Sequence, residues 1–261
     1  MIDSHTHLTD ESFSFDREEV IARCFKSGVN FFLEVLTSPK DWEKFKIFEK
    51  YENFYFAFGI HPNDTSICFQ KTIEKIDRYL NLKKTVAIGE TGIDLWYHPQ
   101  SFKDQLKLTE IMMDKALKFS KPCIFHIRNS KTNNSAYKIV LEFLKQRRNM
   151  INKQGIIHSF SGEVEEAKSL IDLGFYIGVN ATITYPRNEK LRKVVKKIPL
   201  ETILTETDSP YLPPQRIRGK RNEPSSVEDV IAAISDIKAV QSEKVSEIIE
   251  KNFLRFLSQS L

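Results

Sequence analysis

The chemistry of this chain is concentrated in its imidazoles and a few carboxylates. The sequence opens MIDSHTHLTD, which puts His5 and His7 one residue apart after a short apolar start. Further on, His61 stands in GIHP, Glu90 in AIGETGID, His126 in CIFHIR, His158 in IIHSFSG and Asp208 in LTETDSP. Each ends a short β-rich run, and five of the six histidines share that placement, which scattered surface histidines would not. In an extended strand successive side chains alternate between faces, so His5 and His7 share one face and Thr6 takes the other. Two imidazoles on one face of a strand tip can grip one metal ion. An HxH pair alone carries little weight. What favours a metal centre is that His126, His158, Glu90 and Asp208 converge on the same rim.

Taken singly, these residues have plainer uses. His126 or His158 alone would serve as a core histidine bonded to a backbone carbonyl. Glu90, after the apolar TVAIG, is a costly buried charge unless paired or bound to metal. Asp208 can cap a turn before Pro210, and His61 can be a turn residue before Pro62. His98 falls beyond a strand end with no patterned partner and reads as a surface loop residue.

The elements that must position these groups alternate along the chain. The β-rich runs are MIDSH, VNFFLEVL, FYFAFGIH, TVAIGE, PCIFHI, GIIHSF, FYIGVN and ETILTETD. Segments of helical spacing lie between them, among them DREEVIARCFKSG, KDWEKFKIFEKY and SFKDQLKLTEIMMDKALKFS, and two more follow the last run. In the third of these, Leu106, Met113 and Leu117, flanked by Ile111 and Met112, predict the buried stripe. Gly28 and Gly174 stand where helix C-caps belong. Eight apolar strands, each followed by a helix, predict a parallel sheet covered on both faces. The expected fold is a (β/α)8 TIM barrel in one domain, 1–261. The alternative, a doubly wound open sheet, lacks its glycine-rich first turn. In a barrel, functional side chains come from the C-terminal ends of the strands, where these residues fall.

Composition sets the outer limits. With 261 residues, 41% hydrophobic and 28% charged, the chain is neither disordered nor fibrous. A net charge of +4 does not by itself imply nucleic acid, so a polyanion site must come from local clustering. Cys24, Cys68 and Cys123 are far apart and odd in number, which predicts reduced thiols. The N-terminus lacks a signal-peptide pattern. The longest uncharged stretch, GFYIGVNATITYP, is too short to span a bilayer. These features predict a cytoplasmic protein with no membrane association and no obligate protein partner.

Together the motifs resemble the TatD-like metal-dependent hydrolases, or TatD-type DNases, of the amidohydrolase superfamily. The likeness runs nearly end to end. It includes SHTHL at 4–8, GIHP at 59–62, IGETGID at 88–94, FHIR at 125–128, HSFSG at 158–162, TETDSPYL at 205–212, RGKRNEP at 218–224 and Asn252. The resemblance implies a centre for two divalent metal ions. His5, His7 and Asp208 would bind the first, His126 and His158 the second, and Glu90 would bridge them. It also implies magnesium-dependent nuclease activity, with 3′→5′ exonuclease action among members. Asn129 follows Arg128 where the family often has Asp, and Ser159 stands where Cys is common. Neither position is an implied ligand.

Phosphodiester hydrolysis needs a nucleophile at neutral pH and stabilised phosphoryl oxygens, and two ions about 4 Å apart can supply both. Asp208 is the candidate to ligate metal, orient the water and accept its proton, with Glu90 holding the spacing. Imidazole and carboxylate donors suit Zn2+, Mn2+, Fe or Co, while Mg2+ prefers oxygen; Mg2+ or Mn2+ is expected in activity. Just past Asp208, PQRIRGKRNEP gathers Arg216, Arg218, Lys220 and Arg221 within six residues on a proline-stiffened loop. Alone, such a run is a solvated loop; beside Asp208 it predicts phosphate binding. Arg128 shares the face of His126 and adds a phosphate clamp. His61 is assigned to a phosphate oxygen or to protonating the leaving group. Trp96 and Tyr97 either stack on a base or pack on the rim. Asp94 and Glu206 either accept the far N–H of ligating histidines or bond backbone at a turn.

The function expected is divalent-metal-dependent cleavage of nucleic-acid phosphodiesters, as a 3′→5′ exodeoxyribonuclease on single-stranded DNA or as a nuclease on RNA. The alternative is an amidohydrolase-type enzyme for an ester, amide or lactone, including aminoacyl-tRNA deacylation. A third reading is a non-enzymatic metal- or nucleic-acid-binding protein, against which the full ligand set with Asp208 argues.

Overall fold

Short runs rich in β-branched and aromatic residues form eight strands: β1 Ile2–Thr6, β2 Phe31–Leu36, β3 Phe54–Phe58, β4 Thr85–Asp94, β5 Cys123–Arg128, β6 Ile156–His158, β7 Tyr176–Val179 and β8 Ile203–Thr205. The computed structural model describes residues 1–67, 70–132, 135–151 and 153–260; Cys68 lies outside the described residues. The strands follow one another round a single sheet in chain order, each parallel to the next. β1, β4, β6, β7 and β8 are buried along their whole length, as strands covered on both faces must be. The ring closes where Thr6 bridges Ser209, with His7 N–H donating to Ser209 O at 2.9 Å and Asp208 N–H to His5 O at 2.9 Å. A buried polar seam backs this closure. Ser4 Oγ donates to Thr205 O, Thr205 Oγ1 to Ile2 O, and the Thr207 N–H to the Asp3 carboxyl. The architecture is the expected (β/α)8 barrel.

Among the described residues eight α-helices surround it: α1 Arg17–Lys26, α2 Gln70–Leu80, α3 Phe102–Lys118, α4 Ala136–Gln146, α5 Val164–Asp172, α6 Glu189–Lys197, α7 Val227–Lys238 and α8 Ser242–Ser258. Gly28 and Gly174 terminate α1 and α5 at φ 85° and 93°, with the paired bonds of a Schellman motif (Gly28 N to Phe25 O and Val29 N to Cys24 O in α1). Among the described residues no helix is long and apolar enough to cross a membrane.

Three expectations need correction. KDWEKFKIFEKY forms a 3-10 helix, Trp42–Phe48, because its buried residues Trp42, Phe45 and Phe48 recur every third position, which is the 3-10 period. In α3 the buried face carries Gln105, Leu108, Thr109, Met112, Met113 and Ala116, while Leu117 is 43% exposed. That face turns inward because Gln105 and Thr109 have backbone partners on β4, at Asp94 and Gly92. β4 runs on past Glu90 to Asp94: after a register shift, Gly92, Ile93 and Asp94 pair with His126, Ile127 and Arg128 of β5.

Candidate metal centre

The six expected ligand residues meet at one mouth of the barrel. His5 lies within β1 and His7 one residue past it; Glu90 is inside β4, His126 inside β5, and His158 ends β6. Asp208 stands three residues beyond β8, in the loop rather than on the strand. Its φ is +57°, in the left-handed region that Asp tolerates better than most side chains. Ser159 and Leu212 on the same rim also have positive φ, at 48° each. Such backbone conformations persist only where surrounding bonds impose them, and they gather at functional sites.

Each ring presents one nitrogen to the common centre. His5 Nε2 is 3.2 Å from His7 Nε2 and 3.4 Å from Glu90 Oε2. His7 Nε2 is 3.3 Å from Asp208 Oδ1. His126 Nδ1 is 2.7 Å from Glu90 Oε1. His158 Nε2 lies 3.8 Å from Glu90 Oε1 and 3.7 Å from Asp208 Oδ1. Glu90 thus turns one oxygen to the β1 histidine and the other to those of β5 and β6.

Three of the far nitrogens face acceptors. His7 Nδ1 meets Val35 O at 2.8 Å, His126 Nε2 meets Asp94 Oδ2 at 3.2 Å, and His158 Nδ1 meets Glu206 Oε1 at 3.1 Å. A carbonyl or carboxylate can only accept, so the far nitrogens of His7 and His126 carry the hydrogen and their inner ones point lone pairs at the neighbouring imidazole and carboxylates. Lone pair facing carboxylate needs a cation between them. Mixed imidazole and carboxylate donors converging in this way fit a divalent metal ion. His5 Nδ1 and His158 Nδ1, both buried, have no hydrogen-bond partner among the described residues and belong to the same cluster.

Without such an ion, protons serve. Burial opposes charge on His7, His126 and His158, but the facing carboxylates outweigh it and raise their pKa to about 9, about 9 and about 10. Burial alone would raise Glu90 and Asp208; His158, with His126 for Glu90 and His7 for Asp208, keeps both carboxyls below their ordinary values. His61 differs: burial pushes it down to about 4. Its Nδ1 accepts the Asn63 N–H at 3.1 Å, so its Nε2–H points toward Glu90, 3.8 Å away. A neutral donor suits a phosphate oxygen better than a leaving group that needs a full proton.

Two residues outside the expected set shape the centre. Glu34, fully buried on β2, accepts Leu8 N–H at 2.9 Å and Thr9 N–H at 2.8 Å and so fixes the turn after His7. Its signal is a lone carboxylate inside the apolar VNFFLEVL. Gln105, wholly buried, bonds Asp94 N and O and His98 O, and so holds the loop beyond β4. Asp94 does what its first alternative supposed, facing His126 as an acceptor, whereas Glu206 follows its second, accepting the Ser159 backbone N–H at 2.7 Å with His158 Nδ1 at 3.1 Å. Asp94 also accepts two backbone N–H groups. His98 lies in the exposed part of that loop, beside Gln100.

The cleft over the centre has two arms of opposite charge. A cavity of about 1000 Å³ is lined by His126, His158 and Asp208 together with Arg128, Arg187 and Arg218. A second, of about 440 Å³, shares those three floor residues but carries Asp10, Glu11 and Asp41 against Lys44, which is already paired with Asp41 at 2.6 Å. Among the described residues Arg128, Arg187 and Arg218 form no ion pair. Arg187, in the loop after β7, sits in no motif that marks it in the sequence. Lys220 is exposed and lies outside both linings. Arg221 needs correction: its guanidinium is held by Asp16 at 2.6 and 2.7 Å, by Glu223 at 3.0 Å and by Ser12 O, so it fastens the rim loop to the start of α1 and does not face the cleft. Arg216 is likewise committed, to Asp229.

Comparison with known proteins points the same way. The family model described as "TatD related DNase" matches residues 2–258. The uncharacterized metal-dependent hydrolase BU355 of Buchnera aphidicola is 32% identical over 263 residues, covering 97% of each chain. YabD of Bacillus subtilis, also an uncharacterized metal-dependent hydrolase, is 32% identical over 260 residues, covering 98% of each. The crystal structure of YjjV, a TatD homologue of Escherichia coli, superposes with a TM-score of 0.90 at 29% identity, over 99% of this chain and 98% of that one. With the barrel, the converging imidazoles and carboxylates, and this end-to-end likeness, the chain belongs to the TatD-related DNase family, whose relatives here carry the name of metal-dependent hydrolases.

Proposed function

We propose that this protein is a divalent-metal-dependent exonuclease that shortens single-stranded nucleic acid, DNA in the first instance and RNA by the same chemistry. The observation that carries this reading is the division of the cleft: unpaired arginines on one side of the centre, carboxylates on the other. A phosphate chain is attracted into the basic arm and repelled from the acidic one, so it enters and ends at the centre rather than running through. The 3′→5′ direction rests on the family resemblance. The chain would work as one domain, 1–261, in the cytoplasm, where Cys24 and Cys123 remain buried thiols.

His5, His7 and Asp208 would hold one ion, His126 and His158 the other, with Glu90 shared. Mg2+ or Mn2+ serves in activity, and Zn2+, Fe or Co also suits the nitrogen donors. Divalent ions there would acidify a water and draw charge off the phosphoryl oxygens. Asp208, ionised at neutral pH, orients that water and accepts its proton. His61 donates Nε2–H to a phosphate oxygen. Arg128 and Arg218 hold the neighbouring phosphates, with Lys220 adding long-range attraction from the rim.

The test is an end-labelled single-stranded oligonucleotide and a circular strand of the same composition, each with Mg2+, Mn2+ or Zn2+. Stepwise loss from the linear strand, an intact circle, and loss of all cleavage in EDTA or in Asp208→Asn are expected. Cutting of the circle, or no cleavage in any metal, overturns the reading. In the second case, activity on a small uncharged ester that survives Arg218→Ala would favour the ester, amide or lactone alternative.

A further inference from the structure

We propose that Tyr97 and Tyr185 are base-stacking walls of the basic arm, so that the enzyme grips the strand by its bases as well as its phosphates. This rests on the nuclease reading. Trp96 and Tyr97 are 38% and 57% exposed, so rim packing does not account for them. Yet their backbone is fixed: both N–H groups donate to Asp94 Oδ1, at 2.8 and 3.0 Å, and Asp94 is itself clamped by the buried Gln105. An exposed ring on so rigid a pedestal loses little freedom when a flat ligand settles on it. The Arg128 guanidinium stands 4.9 Å from the Tyr97 ring and 5.4 Å from that of Trp96.

Three strands further round the barrel the arrangement recurs. Tyr185 donates its hydroxyl to Pro213 O at 2.8 Å, and Arg192 holds its carbonyl at 2.6 Å. The Arg218 guanidinium stands 4.3 Å from the Tyr185 ring. Tyr97 and Tyr185 line the same cavity of about 1000 Å³. Each wall therefore offers an aromatic residue on a fixed backbone and an arginine that has no carboxylate partner among the described residues. That pairing recognises a nucleotide as base plus phosphate without reading its sequence, since every base has a π-face.

The test uses the full chain carrying Asp208→Asn, which keeps the strand intact, with a labelled single-stranded pentanucleotide and an abasic strand of equal length. Fluorescence anisotropy reads affinity. Trp96 emission reads contact at the platform, because Trp42, the only other tryptophan, is wholly buried. The base-bearing strand should bind more tightly and quench Trp96. Tyr97→Ala and Tyr185→Ala should each weaken it roughly tenfold or more and leave the abasic strand's affinity unchanged; Tyr97→Phe should restore it, and Tyr185→Phe should recover most of it, keeping the ring but losing the bond to Pro213 O. Equal affinity for the two strands, or equal weakening of both by the alanine variants at unchanged melting temperature, overturns the proposal. Cleavage of the linear strand by the wild-type chain is scored separately. If cleavage persists while base and abasic strands bind alike, only the stacking walls fall; if cleavage and binding are both absent, the nuclease reading falls with them.

Discussion

Asp94 carries two duties on one carboxylate. Its Oδ2 faces His126 Nε2 at 3.2 Å, and its Oδ1 holds the backbone of Trp96 and Tyr97. Burial would raise its pKa, but His126 and those amides keep the group well below the usual carboxylate range, so it stays an acceptor at every working pH. In Asp94→Asn the amide can present N–H to His126 and permit the wrong tautomer. Metal affinity should fall roughly 10- to 100-fold, read by competition with a metal-binding dye; unchanged affinity would show that His126 needs no such orientation. The two rim arginines should separate cleanly. Arg218→Ala raises KM for an oligonucleotide and flattens its salt dependence, whereas Arg221→Ala leaves KM unchanged and lowers stability by no more than about 1 kcal/mol, since its ion pairs are part-exposed. The ligand-type residues were legible because histidines are few and five of the six close a β-rich run. The commitment of Arg221 was not, because Asp16 lies 205 positions away in the chain. Nothing local distinguishes it from Arg218.

Among the elements, β4 does the most to set the site. A Cβ at Gly92 would lie 2.2 Å from His126 O, and the φ of +135° there is open mainly to glycine. Gly92→Ala must push β5 and its histidine outward. It should cost about 2 kcal/mol or more and reduce metal affinity, measured by denaturant unfolding alongside metal titration; a variant as stable as wild type with full affinity would contradict the close approach. Gln105→Ala, which strips partners from Asp94 N and O, should cost about 1–3 kcal/mol. The strands were readable as apolar runs and the C-caps as Gly28 and Gly174. The register shift in β4 left no trace in composition. The face of α3 was misread because periodicity counts apolar residues, while here buried Gln105 and Thr109 turn the helix by hydrogen bonding.

At the scale of the whole molecule, a net charge of +4 conceals a cleft divided into basic and acidic arms. Folding also closes a polar seam between β1 and β8, where burial raises the Asp3 carboxyl from 3.8 to about 8 against the hydrogen bonds of Thr207 and His5. The folded chain therefore keeps a proton that the unfolded chain releases near 3.8, so this contribution is whole below that value and is lost as pH rises through about 8. Melting temperature should decline between pH 6 and 9 more steeply for wild type than for Asp3→Asn; parallel curves would contradict the assignment. The eight-fold alternation was legible because a barrel repeats one local pattern, whereas the closure joins residues from opposite ends of the chain. The central claim is that six side chains from β1, β4, β5, β6 and the loops after β1 and β8 form one divalent-cation centre, and calorimetric titration of the full chain with Mn2+ tests it most directly. Two equivalents per chain are predicted for wild type, with one lost in His126→Ala and in His7→Ala; stoichiometry and affinity unmoved by either substitution would contradict the account.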